Sequence, residues 1–202
     1  MNRIIKLAIT GSIGSGKSVV SRMMDTMGVP VYDCDSSAKR LMTCDATIVA
    51  ELKRMFGEEC YNDDGMLNRE YIASRIFTDK ENIKRVNSLV HPAVKKDFES
   101  WAKKQESGLV AVETAILYES GMVDAVDKVL VVWADRETAV RRTMERSGMS
   151  RIQVESRLDN QMGTDELLLL SDYSLYNDGD EPIMPKVTAL IEQLKGNSDF
   201  AL

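Results

Sequence analysis

Residues 3–18 read RIIKLAITGSIGSGKS, an apolar run that leads directly into a glycine-rich loop closed by Gly-Lys-Ser. Gly11, Gly16, Lys17 and Ser18 occupy the fixed positions of G-x-x-x-x-G-K-[ST], and Gly14 is a further glycine inside it. The residue types follow from a physical need. Glycine lets the backbone curl until successive N–H groups point inward at phosphate oxygens. A helix starting near Gly16 adds the positive end of its dipole at the same point. The expected cradle runs through Ser12, Ile13, Gly14, Ser15, Gly16, Lys17, Ser18 and Val19. Lys17 can reach the β- and γ-phosphates of a nucleoside triphosphate, and the Ser18 hydroxyl can ligate magnesium. A chance glycine-rich turn would share the spacing, but the flanks also supply the strand–loop–helix context that the motif requires.

Outward from the loop, residues 4–10 are near-continuously apolar, broken only by Lys6, as in a buried parallel strand. Residues 17–27 place apolar side chains at 19, 20, 23, 24 and 27, a helical spacing that Gly28 is placed to stop. A short strand, 29–32, then delivers Asp33, Cys34 and Asp35. Ligands bind at strand carboxyl ends in open α/β sheets, which favours a functional Asp33. Asp35 reads better as an N-cap for a helix beginning at Ser36.

Residues 36–104 change character and predict helices at about 36–43, 45–56, 69–77 and 80–104, with a turn at Asn62-Asp63-Asp64-Gly65. They show no strand-like alternation, so a helical lobe inserted into the α/β core is expected. His91-Pro92 lies in it, and a structural or a binding role fits the pair equally. Apolar sequence returns at 109–117, where Glu113 falls at a strand end and Glu119 follows. Glu113 could serve the magnesium shell through water or simply face solvent. A fourth strand is expected at 128–134, with Asp135 as N-cap of a helix over 137–146.

Arg141, Arg142, Arg146, Arg151 and Arg157 cluster around the Ser147-Gly148 break. Arg142 and Arg146 share one helical face, as do Gln153, Arg157 and Gln161. Surface ion pairs with Glu145 and Glu155 would account for some of them. A lid whose guanidinium groups meet the charge on a transferred phosphoryl group accounts for the cluster as a whole. A fifth strand, 172–176, a turn at 177–180 and a last helix opened by Pro182 complete the unit.

Composition narrows the class. The chain has 202 residues, 44% hydrophobic and 29% charged, enough for one α/β domain with a sizeable core. A net charge of −6 argues against broad nucleic-acid binding, and no apolar run is long enough to span a membrane. Cys34, Cys44 and Cys60 form an odd set without metal-ligand spacing, which reads as reduced thiols in a cytoplasmic protein. Oligomeric state is left open.

The stretches LAITGSIGSGKSVVS, VYDCDSSAKRL, DGMLNREYIASRIF, LVHPAVKK, ILYESG, the Arg/Gln lid and SDYSLYNDGD together resemble the dephospho-CoA kinase family over nearly the whole chain. The resemblance implies a three-layer α/β/α P-loop kinase with a five-stranded parallel sheet. The core would be about 1–35, 105–135 and 165–202, the helical acceptor lobe about 36–104 and the lid about 136–164. It implies ATP and Mg2+, with transfer of the γ-phosphate to the ribose 3′-hydroxyl of dephospho-CoA. Asp33 matches the family's proposed base, Arg142 a lid arginine near the nucleotide (with Arg146 as its companion), and Asn177 an asparagine near the ATP base. Arg69, His91 and Lys95 are candidates for the acceptor. Ala115-Ile116-Leu117-Tyr118-Glu119 departs from the family's Pro-Leu-Leu-Phe-Glu, and Ser147 stands where an aspartate is usual in the lid. Another small-metabolite or nucleoside monophosphate kinase of the same core is the alternative. A switch-type nucleotide-binding protein is a further reading, weakened by the lack of an Asn/Thr-Lys-x-Asp guanine-reading segment.

Overall fold

A computed structural model describes residues 3–76 and 79–196. Its strands are β1 (Ile5–Thr10), β2 (Val31–Asp33), β3 (Leu109–Glu113), β4 (Lys128–Trp133) and β5 (Tyr173–Tyr176). They form a 5-stranded sheet in the order β2-β3-β1-β4-β5, every pairing parallel. Central β1 has Leu7, Ala8 and Ile9 fully buried, which is why its sequence runs apolar instead of alternating. From β1 the chain first builds one side of the sheet (β2, β3) and later the other (β4, β5). The carboxyl end of β1 is therefore the switch point at which such sheets bind ligands.

The helices are α1 (Lys17–Thr26), α2 (Cys34–Cys44), α3 (Ala46–Phe56), α4 (Arg69–Ile76), α5 (Lys80–Ala102), α6 (Arg136–Ser147), α7 (Arg151–Asp159), α8 (Thr164–Leu169) and α9 (Met184–Gly196). Chain contacts divide the protein into one unit of residues 1–33 and 100–202 and a second of residues 34–99. In the first unit, Leu7, Ile9, Leu109, Ala111, Leu130 and Val132 on one sheet face pack with Val20 and Met24 of α1 and with Val187, Leu190, Ile191 and Leu194 of α9. The alternate residues Ala8, Val110, Val112, Val129 and Val131 are buried as well, so both faces are covered. Fully burying one such aliphatic side chain stabilises by roughly 1.5–3 kcal/mol, and this layer fixes where the strand ends fall.

The second unit is helical, with Leu41, Ile48, Leu52, Ile72, Val86, Val90, Val94 and Phe98 buried. Asp45 caps α3 by accepting from the N–H groups of Thr47 and Ile48. The Tyr61 hydroxyl donates to Met42 O at 2.5 Å, and burial pushes its pKa up to about 12. One antiparallel bridge, Tyr61 with Leu67, closes the Asn62–Gly65 turn, a small departure from the purely helical expectation.

Other local expectations are corrected. The second helix begins at Cys34 and not Ser36, so Asp35 lies in its first turn and is not the N-cap; a carboxylate there still favours the helix dipole. The last helix begins at Met184, two residues beyond Pro182. Pro92 lies inside α5, where its ring removes one backbone donor. Residue 77, expected to end the helix that begins at residue 69, lies outside the described residues. Gln161 falls past the end of α7, so it does not share a helical face with Gln153 and Arg157. Gln153 instead completes a capping box with Ser150.

Candidate active site

The phosphate loop starts at the last residue of β1 and ends at α1, whose first residues are Lys17 and Ser18. Backbone geometry explains two of its glycines outright. Gly14 has φ +80°, and a Cβ there would lie 2.1 Å from Ala139 O and 2.6 Å from Thr143 Oγ1 of α6. Gly16 has φ +95°, and a Cβ would meet Asn177 Nδ2 at 2.1 Å. Only glycine fits either place without moving a neighbouring element. Ser15 is fully buried in the loop, and its hydroxyl has no partner. Curled backbone, left-handed glycines and a helix start converging on one point suit the phosphates of a nucleotide.

On the strands to one side of the loop two carboxylates stand at neighbouring strand ends. Asp33 ends β2 and Glu113 ends β3, directly paired in register. Adjacent strands lie about 4.8 Å apart, so these backbones are immediate neighbours. The Ser18 hydroxyl donates to Glu113 Oε1 at 2.5 Å. Glu113 thus belongs with the loop serine, a relation the sequence left open because 95 residues separate the two. A hydroxyl and a carboxylate, both hard oxygen donors, suit magnesium, which keeps several waters and takes few protein ligands. Among the described residues no group of three or more His, Cys, Asp or Glu forms a dedicated metal cage.

The other flank is built by the end of β5. The Trp133 and Tyr176 rings pack with centroids 4.3 Å apart. Tyr176 donates to Asp135 Oδ2 at 2.5 Å, and that bond pushes the phenol up to about 12. Asp135 precedes α6 as expected, but its side chain holds this tyrosine and caps no backbone N–H. Asn177 follows, fixed by its own N–H to Trp133 O at 2.8 Å. Its Nδ2 donates to Ser15 O at 2.9 Å, so the side chain grips the phosphate loop itself. Arg142, half-buried on α6, donates from Nη1 to Asn177 O and from Nη2 to Asp178 O, both at 2.7 Å.

The remaining arginines differ in their partners. Arg151 is held by Glu137 and Glu155, and Arg141 pairs with Glu145 at 3.6 Å, as surface chemistry predicts. Such exposed pairs contribute about 1 kcal/mol or less. Arg146 and Arg157 are exposed. Ser147, where an aspartate was expected, donates to Thr143 O at 2.7 Å.

Lys17, Ser18, Asp33, Arg142 and Asn177 all belong to the first unit. Arg69, His91 and Lys95 belong to the second, with Arg69 exposed at the start of α4 and His91 and Lys95 one turn apart on α5. Half-buried His91 has its pKa lowered from 6.5 by desolvation, since burial disfavours the imidazolium. Its contribution to stability is complete above the unfolded value near 6.5 and is lost as pH falls through the lower folded value. Thermal unfolding measured from pH 7.5 down to 5.5 should show a declining Tm. His91→Gln should flatten that decline; an unchanged slope would remove the histidine as its source.

An all-parallel sheet with a glycine-rich phosphate loop at its switch point and carboxylates on the adjoining strand ends defines a P-loop kinase. Its fold matches a crystal structure of shikimate kinase from Bacteroides thetaiotaomicron with a TM-score of 0.54 at 13% identity, covering 95% of this chain and 98% of that one. A family model for dephospho-CoA kinase matches residues 5–182. The dephospho-CoA kinase of Bacteroides fragilis is 38% identical over 188 residues, 93% of this chain and 91% of that protein. A crystal structure of a Thermus thermophilus protein aligns with a TM-score of 0.80 at 33% identity, over 96% of this chain and 98% of that one. The chain belongs to the dephospho-CoA kinase family, whose members transfer phosphate to an alcohol group. These relatives favour dephospho-CoA kinase over another small-metabolite or nucleotide kinase of the same core.

Proposed function

We propose that the chain phosphorylates the ribose 3′-hydroxyl of dephospho-CoA with ATP as donor, giving CoA and ADP, in the cytoplasm. One observation carries the mechanism: Asp33 stands in register beside Glu113, whose carboxylate is bound to the loop serine. On this reading Asp33 is the proton acceptor, one strand further out in the sheet than the Glu113 that holds the loop serine. In the mechanism, Lys17 and the backbone of residues 12–19, apart from the Ile13 N–H that Gln161 takes, hold the triphosphate, and Asn177 keeps the loop curled through Ser15 O. Asp33 accepts or orients the acceptor hydroxyl proton. Arg142, with Arg146 beside it on α6, meets charge on the transferred group, so that α6 and α7 act as the lid. Ser18 and Glu113 would hold Mg2+, which when bound neutralises charge on the β- and γ-oxygens. Arg69, His91 and Lys95 are assigned to the acceptor on the helical lobe of residues 34–99.

The test is a turnover screen of dephospho-CoA against shikimate, gluconate and nucleoside monophosphates, each with ATP and Mg2+. Dephospho-CoA alone should give rapid ADP release and a 3′-phosphorylated product. Preference for any other acceptor, or hydrolysis independent of acceptor, would overturn the assignment.

A further inference from the structure

One contact at the phosphate loop has no place in that mechanism. The N–H of Ile13, counted above among the cradle's phosphate-facing donors, donates to Gln161 Oε1 at 3.0 Å. Gln161 is 148 residues away, just beyond α7. Its position is fixed from both sides. The next residue, Met162, gives its backbone N–H to Glu119 Oε1 at 3.2 Å, and Asp159, two residues earlier, takes Arg136 at 2.8 Å. These contacts anchor a carboxamide against the tip of the loop.

A carboxamide is both acceptor and donor, with two protons on nitrogen. In Gln161 the oxygen is used by a loop amide, which leaves the two protons of Nε2 on the same planar group for another acceptor. We propose that Gln161 senses the terminal phosphoryl group: Oε1 steadies the loop through Ile13, and Nε2 donates to an oxygen of the γ-phosphate. The residue thereby tells a triphosphate from a diphosphate and links the filling of the loop to the segment after α7. This rests on ATP being the donor.

The test is calorimetric binding of a non-hydrolysable ATP analogue and of ADP, each with Mg2+, to the wild-type chain, Gln161→Ala and Gln161→Glu. Losing one hydrogen bond to a charged group should weaken the analogue about ten-fold or more in Gln161→Ala, with ADP held within about two-fold. Gln161→Glu keeps an acceptor for Ile13 and loses the donor, so it should bind the analogue no better than Gln161→Ala does. Equal weakening of both nucleotides, or none, would overturn the proposal and leave Gln161 a brace of the loop. Wild-type affinity in Gln161→Glu would overturn it too. Failure of the wild-type chain to bind either nucleotide would instead sink the donor assignment, and this reading with it.

Discussion

Asp33→Asn is expected to lower turnover with dephospho-CoA by about 10²- to 10⁴-fold while ATP binding stays within about two-fold of wild type. The substitution is nearly isosteric and removes only the capacity to take a proton. A loss of 10³-fold corresponds to about 4 kcal/mol of barrier. The loop that grips ATP lies on β1 and α1, whereas Asp33 ends β2, two strands away from β1 in the sheet with β3 between them. Asparagine keeps the size and shape of the side chain, so the glycine cradle and the Ser18–Glu113 bond are expected to persist. Because Asp33 is exposed, Tm should change little. Steady-state kcat from ADP release and calorimetric Kd for ATP decide the matter together. Turnover within ten-fold of wild type would rule out Asp33 as the base. Equal loss of ATP binding would mean that it serves the nucleotide instead of the acceptor.

What the sequence made legible was what is local in it. The β1–loop–α1 unit could be read because strand, glycines and helix start are contiguous, and each leaves a mark within a few residues. Asp33 was legible for a related reason: a strand tip is recognisable from the apolar run that precedes it. The sheet order was not, because nothing in parallel strands joined by crossovers states which pairs with which. The contacts that turn the loop into a site were hidden in the same way. Asn177 to Ser15 spans 162 residues and Gln161 to Ile13 spans 148, and periodicity carries no signal over such distances. Asn177 shows the consequence: resemblance implied a place near the ATP base, and no sign in the sequence told that its amide also donates to the loop backbone. Helix starts were misjudged where cap-type residues sat just inside a helix, as at Asp35, or just ahead of it, as at Pro182.

Arg142→Ala is expected to cost on the order of 10³-fold or more in turnover, and the structure allows its two duties to be separated. A guanidinium has five N–H donors. Two contacts are accounted for, to the carbonyls of Asn177 and Asp178. Up to three donors therefore remain for a phosphoryl oxygen. The carbonyl contacts hold the residue whose amide grips Ser15, so part of the loss will be looser ATP binding and a lower Tm. That part alone is modest, since hydrogen bonds from a half-exposed guanidinium contribute about 1–3 kcal/mol at most. Charge stabilisation during transfer must supply the remainder. Arg142→Lys separates the two duties from the other side, because it keeps the charge and loses the planar fork. Its kcat should still fall at least ten-fold, with less effect on Tm than the alanine. Single-turnover rates at saturating ATP beside melting curves give both quantities. If Tm fell while the single-turnover rate held, Arg142 would be a clamp on the Asn177–Asp178 loop and the charge on the transferred group would have to be met elsewhere.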